Sequence, residues 1–261
     1  MISPQKAIHF QQFAFRKWRS LAAETIVETP VSLTVNGQNW LTFMCTPVHL
    51  EAMAVGFLYN EGVIETKQDV VDVRVCEHGD NVDVWLQSDA QQPKSWRRTS
   101  GCSGGMTAVD ALARPELGTR QISLQVSAEE IGTLVDQLSE SQSLYRETGG
   151  VHTSALSDGQ SILVSAEDIG RHNTLDKIAG LCLLTETWPQ MRILLTTGRI
   201  SSEMLQKAAR LRAPILISRT SPSSLSIEMA ERYDITLIGY ARRGRFNVYT
   251  SPHRVSAAPT A

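Results

Sequence analysis

Residues 161–218 read "SILVSAEDIGRHNTLDKIAGLCLLTETWPQMRILLTTGRISSEMLQKAARLRAPILIS". Short apolar runs at 161–165, 192–196 and 214–218 have the length and composition of strands. The stretches between them, near 173–185 and 202–212, carry apolar residues at helical spacing. Strands alternating with helices of that length make an α/β layer structure. The pattern extends on both sides: strand-like runs at 151–156, 235–240 and 246–250 and a helix near 224–232 belong to it. On the N-terminal side "SAEEIGTLVDQL" (127–138) opens with a capping box, Ser127 and Glu130, and buries Ile131, Leu134, Val135 and Leu138. "SAAPTA" at 256–261 reads as a frayed tail.

Further upstream the style differs. "IVETPVSLTV" (26–35) and "NWLTFM" (39–44) are strand-like runs joined at Asn36-Gly37, the strongest short hairpin signal. A helix is expected next, with Thr46 as N-cap, Pro47 in its first turn, an apolar stripe of Leu50, Met53, Ala54, Phe57 and Leu58, and a stop at "NEG" (60–62). Val71, Val73 and Val75, then Val82, Val84 and Leu86, alternate with polar residues about an "HGDN" turn. Four strands with one helix on one face predict a small β-grasp-like α+β unit over residues 1–92. A linker with a glycine-rich cysteine loop follows over 93–126, and the α/β domain occupies 127–261.

The bulk numbers narrow the function. The 261 residues are 42% apolar, enough for a packed core, and 25 basic against 27 acidic residues leave a net charge of -2. No global field draws such a chain to nucleic acid or to a membrane. The N-terminus lacks a signal-peptide h-region, and no stretch approaches the ~20 apolar residues of a membrane helix, so a cytoplasmic protein is expected. Cysteines at 45, 76, 102 and 182 show neither metal-ligand spacing nor a dense disulfide framework.

Polar chemistry gathers after the strands of the second half, in "AEDIGRHN", "TGRISSE", "SRTSPSS" and "ARRGR". Ligands of open α/β sheets bind where such strand-end loops converge and helix N-termini present free N–H groups. Arg171, Arg199, Arg219, Arg242, Arg243 and Arg245 suit phosphate, and Ser201, Ser202, Ser221, Ser223 and Ser224 supply hydroxyls, so a guanine nucleotide would fit. Against this stands the ordinary reading of serines as helix caps and arginines as solvated charges. His172 in "GRHN" is either a phosphate contact, an acid/base or a structural histidine, and Asn173 is expected to cap the next helix. Cys45, Cys76 and Cys182 read as packing residues. Cys102 differs: Gly101, Gly104 and Gly105 leave it uncovered, and Arg97 and Arg98 favour its thiolate, the form that attacks sulfur or carbonyl carbon. The alternative is a tight glycine turn with an incidental thiol.

"RRTSGCSGG", "GGVHTSAL", "AEDIGRHNTLDKIAG", "LLTTGRISSEMLQKAA", "ILISRTSPSSLSIEMAE" and "TLIGYARRGRFNVYT" occur in an order that resembles the formate dehydrogenase accessory sulfurtransferases, the FdhD/NarQ family, over about residues 24–255. The resemblance implies a sulfur relay: persulfide sulfur is taken from a cysteine desulfurase and passed to the bis-molybdopterin guanine dinucleotide cofactor that formate dehydrogenase requires. It further implies a cytidine-deaminase-like three-layer α/β/α second domain, a homodimer, Cys102 as persulfide carrier, and cofactor binding along Tyr240, Ala241, Arg242, Arg243, Gly244, Arg245, Phe246 and Asn247, with GDP as a mimic. Many members carry Cys-x-x-Cys where this chain has "CSGG", with Gly105 at the fourth position. One thiolate suffices to accept sulfane sulfur, but release then has to proceed by reduction or by direct attack from the acceptor. The P-C-x-x-C string of the zinc deaminases is missing, so no zinc is expected. Two rivals remain: a cofactor-binding chaperone in which Cys102 is dispensable, and a cysteine hydrolase pairing Cys102 with His152 or His172.

Overall fold

Asn36 and Gly37 both adopt positive φ, 47° and 79°, in the computed structural model, which describes residues 2–92, 96–98, 106–108 and 124–257. That is the backbone a two-residue hairpin demands, and it joins β3 (Thr29–Val35) to β4 (Gln38–Cys45). Helix α1 (Leu50–Asn60) follows, then β5 (Val70–Val75) and β6 (Asn81–Leu86). The four strands form one sheet in the order β4-β3-β6-β5, with β3 and β6 parallel. Its inner face, including Val31, Leu33, Phe43, Val82 and Val84, packs on α1, where Phe43 meets Phe57 edge-on with ring centroids 5.1 Å apart.

The start of α1 corrects one expectation. The helix begins at Leu50 behind His49, which has a left-handed backbone, and Thr46 does not cap it. Thr46 turns to the second half instead: its N–H donates to Asp168 Oδ2 at 3.0 Å, and its hydroxyl accepts from the Ile169 N–H at 3.1 Å. Nor does α1 bury a stripe alone, since Ala52, Val55, Gly56 and Tyr59 are buried as well. The helix is covered on a second side by α4 (Arg171–Thr185). Gly56 and Gly180 make this contact possible, because a Cβ on Gly56 would overlap the Asp176 carbonyl oxygen and one on Gly180 the Ala52 carbonyl oxygen.

The capping box of α2 (Ala128–Glu140) is present: Ser127 Oγ accepts from the Glu130 N–H at 3.1 Å, and the Glu130 carboxylate accepts from the Ser127 N–H at 2.6 Å. After α3 (Ser143–Thr148) the chain builds a six-stranded sheet from β10 (His152–Ser157), β11 (Ile162–Asp168), β12 (Ile193–Thr196), β13 (Ile215–Ser218), β14 (Thr236–Arg242) and β15 (Arg245–Val248). The order is β11-β10-β12-β13-β14-β15; β12, β13 and β14 are parallel and the other pairs antiparallel. Alternation assigns the two faces. Ile193, Leu195, Ile215, Ile217 and Ile238 pack with α2, whereas Leu194, Leu216 and Leu237 join the cluster of α4, α5 (Ser202–Arg210) and α6 (Ser224–Tyr233). That second cluster also contains the core of the four-stranded sheet, so one apolar interior runs through α1 from one sheet to the other. The protein is thus a mixed α/β structure.

Three smaller pairs complete it. β1 (Gln5–Ala14) and β2 (Lys17–Ile26) form an antiparallel hairpin that the sequence pattern did not announce. β7 (Trp96–Arg98) pairs antiparallel with β8 (Met106–Ala108), and β9 (Val126–Ser127) runs parallel to β16 (Val255–Ser256). Among the described residues no helix is long and apolar enough to cross a membrane.

Candidate functional site

Strand directions decide which groups meet. With β12, β13 and β14 parallel, and β10 antiparallel to both β11 and β12, the C-terminal ends of β11, β12, β13 and β14 share one edge of the sheet with the first residues of β10 and β15. The four polar loops therefore do converge. They are also tied to one another: Thr197 N–H donates to the Thr153 carbonyl (2.9 Å), Arg219 N–H to Thr196 (3.1 Å), Ile200 N–H to Ser221 (3.1 Å) and Tyr240 N–H to Thr220 (2.9 Å). Ser218 Oγ donates to the Gly198 carbonyl at 2.7 Å, closing the second loop on the third.

The arginines divide into two groups. Arg171, in the first turn of α4, is buried and lies against Gly198, where a built Cβ would stand 2.9 Å from Arg171 Cβ. Arg199 is exposed on the neighbouring loop, and Arg242 Nη1 donates to the Arg219 carbonyl at 2.8 Å, which holds the fourth loop to the third. Arg243 and Gly244 form the exposed β14–β15 turn, but Arg243 reaches to α2 and pairs with Asp136 at 2.9 Å. Arg245 and Asn247 are exposed on β15, Phe246 is half-buried, and Ala241 is buried in the α2-side core. Tyr240 is 49% exposed in a left-handed backbone (φ 53°) at an irregularity in β14 pairing. Such a conformation is costly for a bulky residue and here turns the phenol out of the strand register.

The serines also divide. Ser201 and Ser223 are the N-caps of α5 and α6, their hydroxyls accepting from Met204 and Ser226 N–H groups, so the ordinary reading holds for these two. Ser221 is half-buried and Ser224 exposed. Asn173 is not the cap of α4. Gly170 occupies that position, while Asp168 Oδ1 accepts from the Gly170 N–H at 2.7 Å and from Asn173 Nδ2 at 2.9 Å. A carboxylate from the preceding strand thus fixes the cap residue and the Asn173 side chain, while no side chain of the cap residue bonds the first turn.

Two histidines sit at this edge. His172 is buried with Nε2 3.3 Å from Ser201 Oγ, and His152 Nδ1 lies 3.4 Å from Thr197 Oγ1. Burial, then the Lys207 ammonium and the Arg171 guanidinium, hold His172 well below the usual 6.5; burial, Arg171 and Arg199 also lower His152. Both rings are therefore neutral near pH 7, and the positive charge of the site comes from arginine. Beneath them Lys177, fully buried, donates to Asp168 Oδ2 (2.6 Å) and to the Thr46 and Glu167 carbonyls, which uses all three of its protons. Lys207 likewise grips both oxygens of Asp176 at 2.6 Å. Sequence reasoning missed this layer. No signal announced it: Asp176 and Lys177 fall off the stripe of Leu175, Ile178, Ala179 and Cys182, so an amphipathic reading of α4 leaves them in solvent, whereas the structure buries both.

Of the cysteines, Cys45 and Cys182 are buried, and burial pushes their thiols up to about 12 and about 11. Cys76 corrects an expectation: it follows β5, is half-buried, and its Sγ donates to Asp80 Oδ1 at 2.9 Å rather than packing in the core. Cys102 lies outside the described residues, as do Gly101, Gly104 and Gly105. An H-x-E string does occur, at His49–Glu51 where α1 begins, and among the described residues no three His, Cys, Asp or Glu side chains gather to hold a metal.

Fold and site together define a mixed α/β protein that collects arginine, hydroxyl and neutral imidazole groups at one edge of its larger sheet. The FdhD/NarQ family model matches residues 26–256, and the chain belongs to that family. It is 36% identical over 234 residues to a sulfur carrier protein FdhD of Bacillus subtilis (strain 168), covering 88% of this chain and 89% of the relative. It is 34% identical over 259 residues to the protein of that name from Bacillus pumilus (strain SAFR-032), covering 98% of each. A crystal structure from Desulfotalea psychrophila, described as a formate dehydrogenase accessory protein, superposes with a TM-score of 0.84 at 28% identity, covering 97% of this chain and 100% of that one.

Proposed function

We propose that this protein is a sulfur carrier in formate dehydrogenase maturation, with Cys102 as the residue that bears the sulfur. Family membership and the role named for its relatives support the general activity. The convergence of Arg171, Arg199, Arg219 and Arg242 at one sheet edge supports an anionic substrate, for which the bis-molybdopterin guanine dinucleotide cofactor is suited. In this reading Cys102 thiolate attacks the terminal sulfur of a cysteine desulfurase persulfide; a new S–S bond forms at Cys102 and the desulfurase thiolate leaves. With Gly105 in place of a second cysteine, a small thiol can release the sulfur as sulfide, leaving a mixed disulfide on Cys102. The arginines at the strand ends bind the guanine-dinucleotide phosphates, and neutral His152 and His172 offer hydrogen bonds without adding charge.

The test is mass spectrometry after incubation with a desulfurase and cysteine. Wild-type protein gains sulfur on the peptide carrying Cys102 and Cys102→Ala does not; equal loading of the two overturns the assignment. A chaperone role, in which the protein only delivers the cofactor, predicts instead that Cys102→Ser retains formate dehydrogenase activity in cells.

A further inference from the structure

Met44 and Thr46, which precede α1, reach into the second half of the molecule and hold the loop that carries Arg171 and His172. Thr46 is fully buried. Its hydroxyl accepts from the Ile169 N–H at 3.1 Å and its own N–H donates to Asp168 Oδ2 at 3.0 Å. The Met44 carbonyl accepts from Asn173 Nδ2 at 3.0 Å. The four-stranded half thus grips the turn between β11 and α4 on both of its sides.

Asp168 gathers these ties. Its Oδ1 accepts from the Gly170 N–H and from Asn173 Nδ2, and its Oδ2 from the Thr46 N–H and from Lys177 Nζ, so each oxygen of the carboxylate takes two hydrogen bonds. Lys177 returns to the Thr46 and Glu167 carbonyls at 3.0 and 3.2 Å. Gly170 fits this clamp because it has no side chain: a Cβ there would stand 2.8 Å from Asn173 Nδ2 and 3.3 Å from Asp168 Oδ1.

Stability alone does not call for such an arrangement. A buried ion pair seldom stabilises a fold more than apolar side chains of the same volume, because both charges give up their water. A helix start needs only one serine or aspartate, as α5 and α6 show with Ser201 and Ser223. What the clamp supplies is direction. The N–H groups of Ile169 and Gly170 are each bonded to a side-chain oxygen, which fixes the backbone immediately before Arg171. Arg171 then crosses the next loop at Gly198, where a Cβ would stand 2.9 Å from Arg171 Cβ and 3.1 Å from its Cδ. Groups set before a ligand arrives spare the ordering cost of binding it.

We infer that Thr46 is a positioning residue for the anion site: from the four-stranded half it sets the turn at 168–170, and through that turn the guanidinium of Arg171. The inference rests on the reading of the strand-end arginines as phosphate-binding groups. Isothermal titration of the full chain with GDP tests it, at a temperature where circular dichroism shows every variant folded, so that lost stability is not counted as lost affinity. Thr46→Val keeps the shape and the backbone N–H but removes the hydroxyl that meets Ile169, and the dissociation constant for GDP is expected to rise roughly tenfold. Thr46→Ser returns the hydroxyl and is expected to restore wild-type binding. Asn173→Ala releases the same turn from the Met44 carbonyl; it is expected to weaken GDP binding likewise and supplies the comparison should the valine variant not fold. In an Arg171→Ala background Thr46→Val is expected to add nothing, because it acts through the arginine. A wild type that does not bind GDP overturns the anion-site reading and this inference with it. A wild type that binds, with Thr46→Val or Asn173→Ala binding equally tightly, or with the effect of Thr46→Val undiminished in Arg171→Ala, overturns the positioning role and leaves the anion-site reading standing.

Discussion

His152 and His172 carry a pH dependence whose sign follows from their surroundings. Both are held below 6.5 in the folded chain, chiefly by burial, so the unfolded chain takes up protons first as pH falls. Their contribution to stability is complete above about pH 6.5 and is lost as pH falls through that value towards the folded pKa. The urea midpoint is expected to drop between pH 7 and pH 5, and His172→Gln to flatten that drop; an unchanged slope in the variant would place the pH dependence elsewhere. At this scale the sequence was legible where chemistry is local. The four arginine- and serine-bearing loops could be placed by strand direction alone, and the Ser127–Glu130 box formed as read. It misled where the partner is remote in sequence. Thr46 and Asn173 both have the composition of caps, yet Thr46 serves Asp168, 122 residues away, and Asn173 donates to Asp168 and to the Met44 carbonyl, 129 residues away.

The close contact of α1 with α4 makes a sharp claim about two glycines. A methyl group at position 180 would meet the Ala52 carbonyl, and backbone cannot swing aside as a side chain can. Gly180→Ala is therefore expected to cost at least the ~1–3 kcal/mol of an overpacked core, seen as a lower denaturant midpoint at unchanged slope. A neutral or stabilising result, as from Gly→Ala in an open helix, would show that the helices can move apart. Helix and strand existence was largely readable from periodicity across residues 26–92 and 127–250. The β1–β2 hairpin was not. Its Gln11-Gln12 step interrupts the apolar alternation, and its turn is made by Phe15 and Arg16 rather than by residues that announce a turn. The extent of α1 burial was also hidden, because a stripe cannot show that a second helix covers the opposite side.

The whole molecule shares an interior. Val31, Leu33 and Phe57 belong to the same buried cluster as Leu175, Leu194 and Leu237. Charge-assisted hydrogen bonds run across the same boundary: Asp168 accepts from the Thr46 N–H, Lys177 donates to the Thr46 carbonyl, and Asp176 accepts from Asn60 Nδ2 at 2.7 Å. Slow amides of β3 and β12 are accordingly expected to exchange with the same free energy, reporting one global opening; earlier release of β3 would show that the four-stranded sheet melts alone. Composition and pattern could not reveal this sharing, since each half has enough apolar residues for a core of its own.

The interior also insulates sulfur. Thiols at about 12 and about 11 keep Cys45 and Cys182 protonated and walled off across the physiological range, so neither is a nucleophile for a neighbouring persulfide. A sulfane atom carried as proposed would meet no thiolate at Cys45 or Cys182 to attack it.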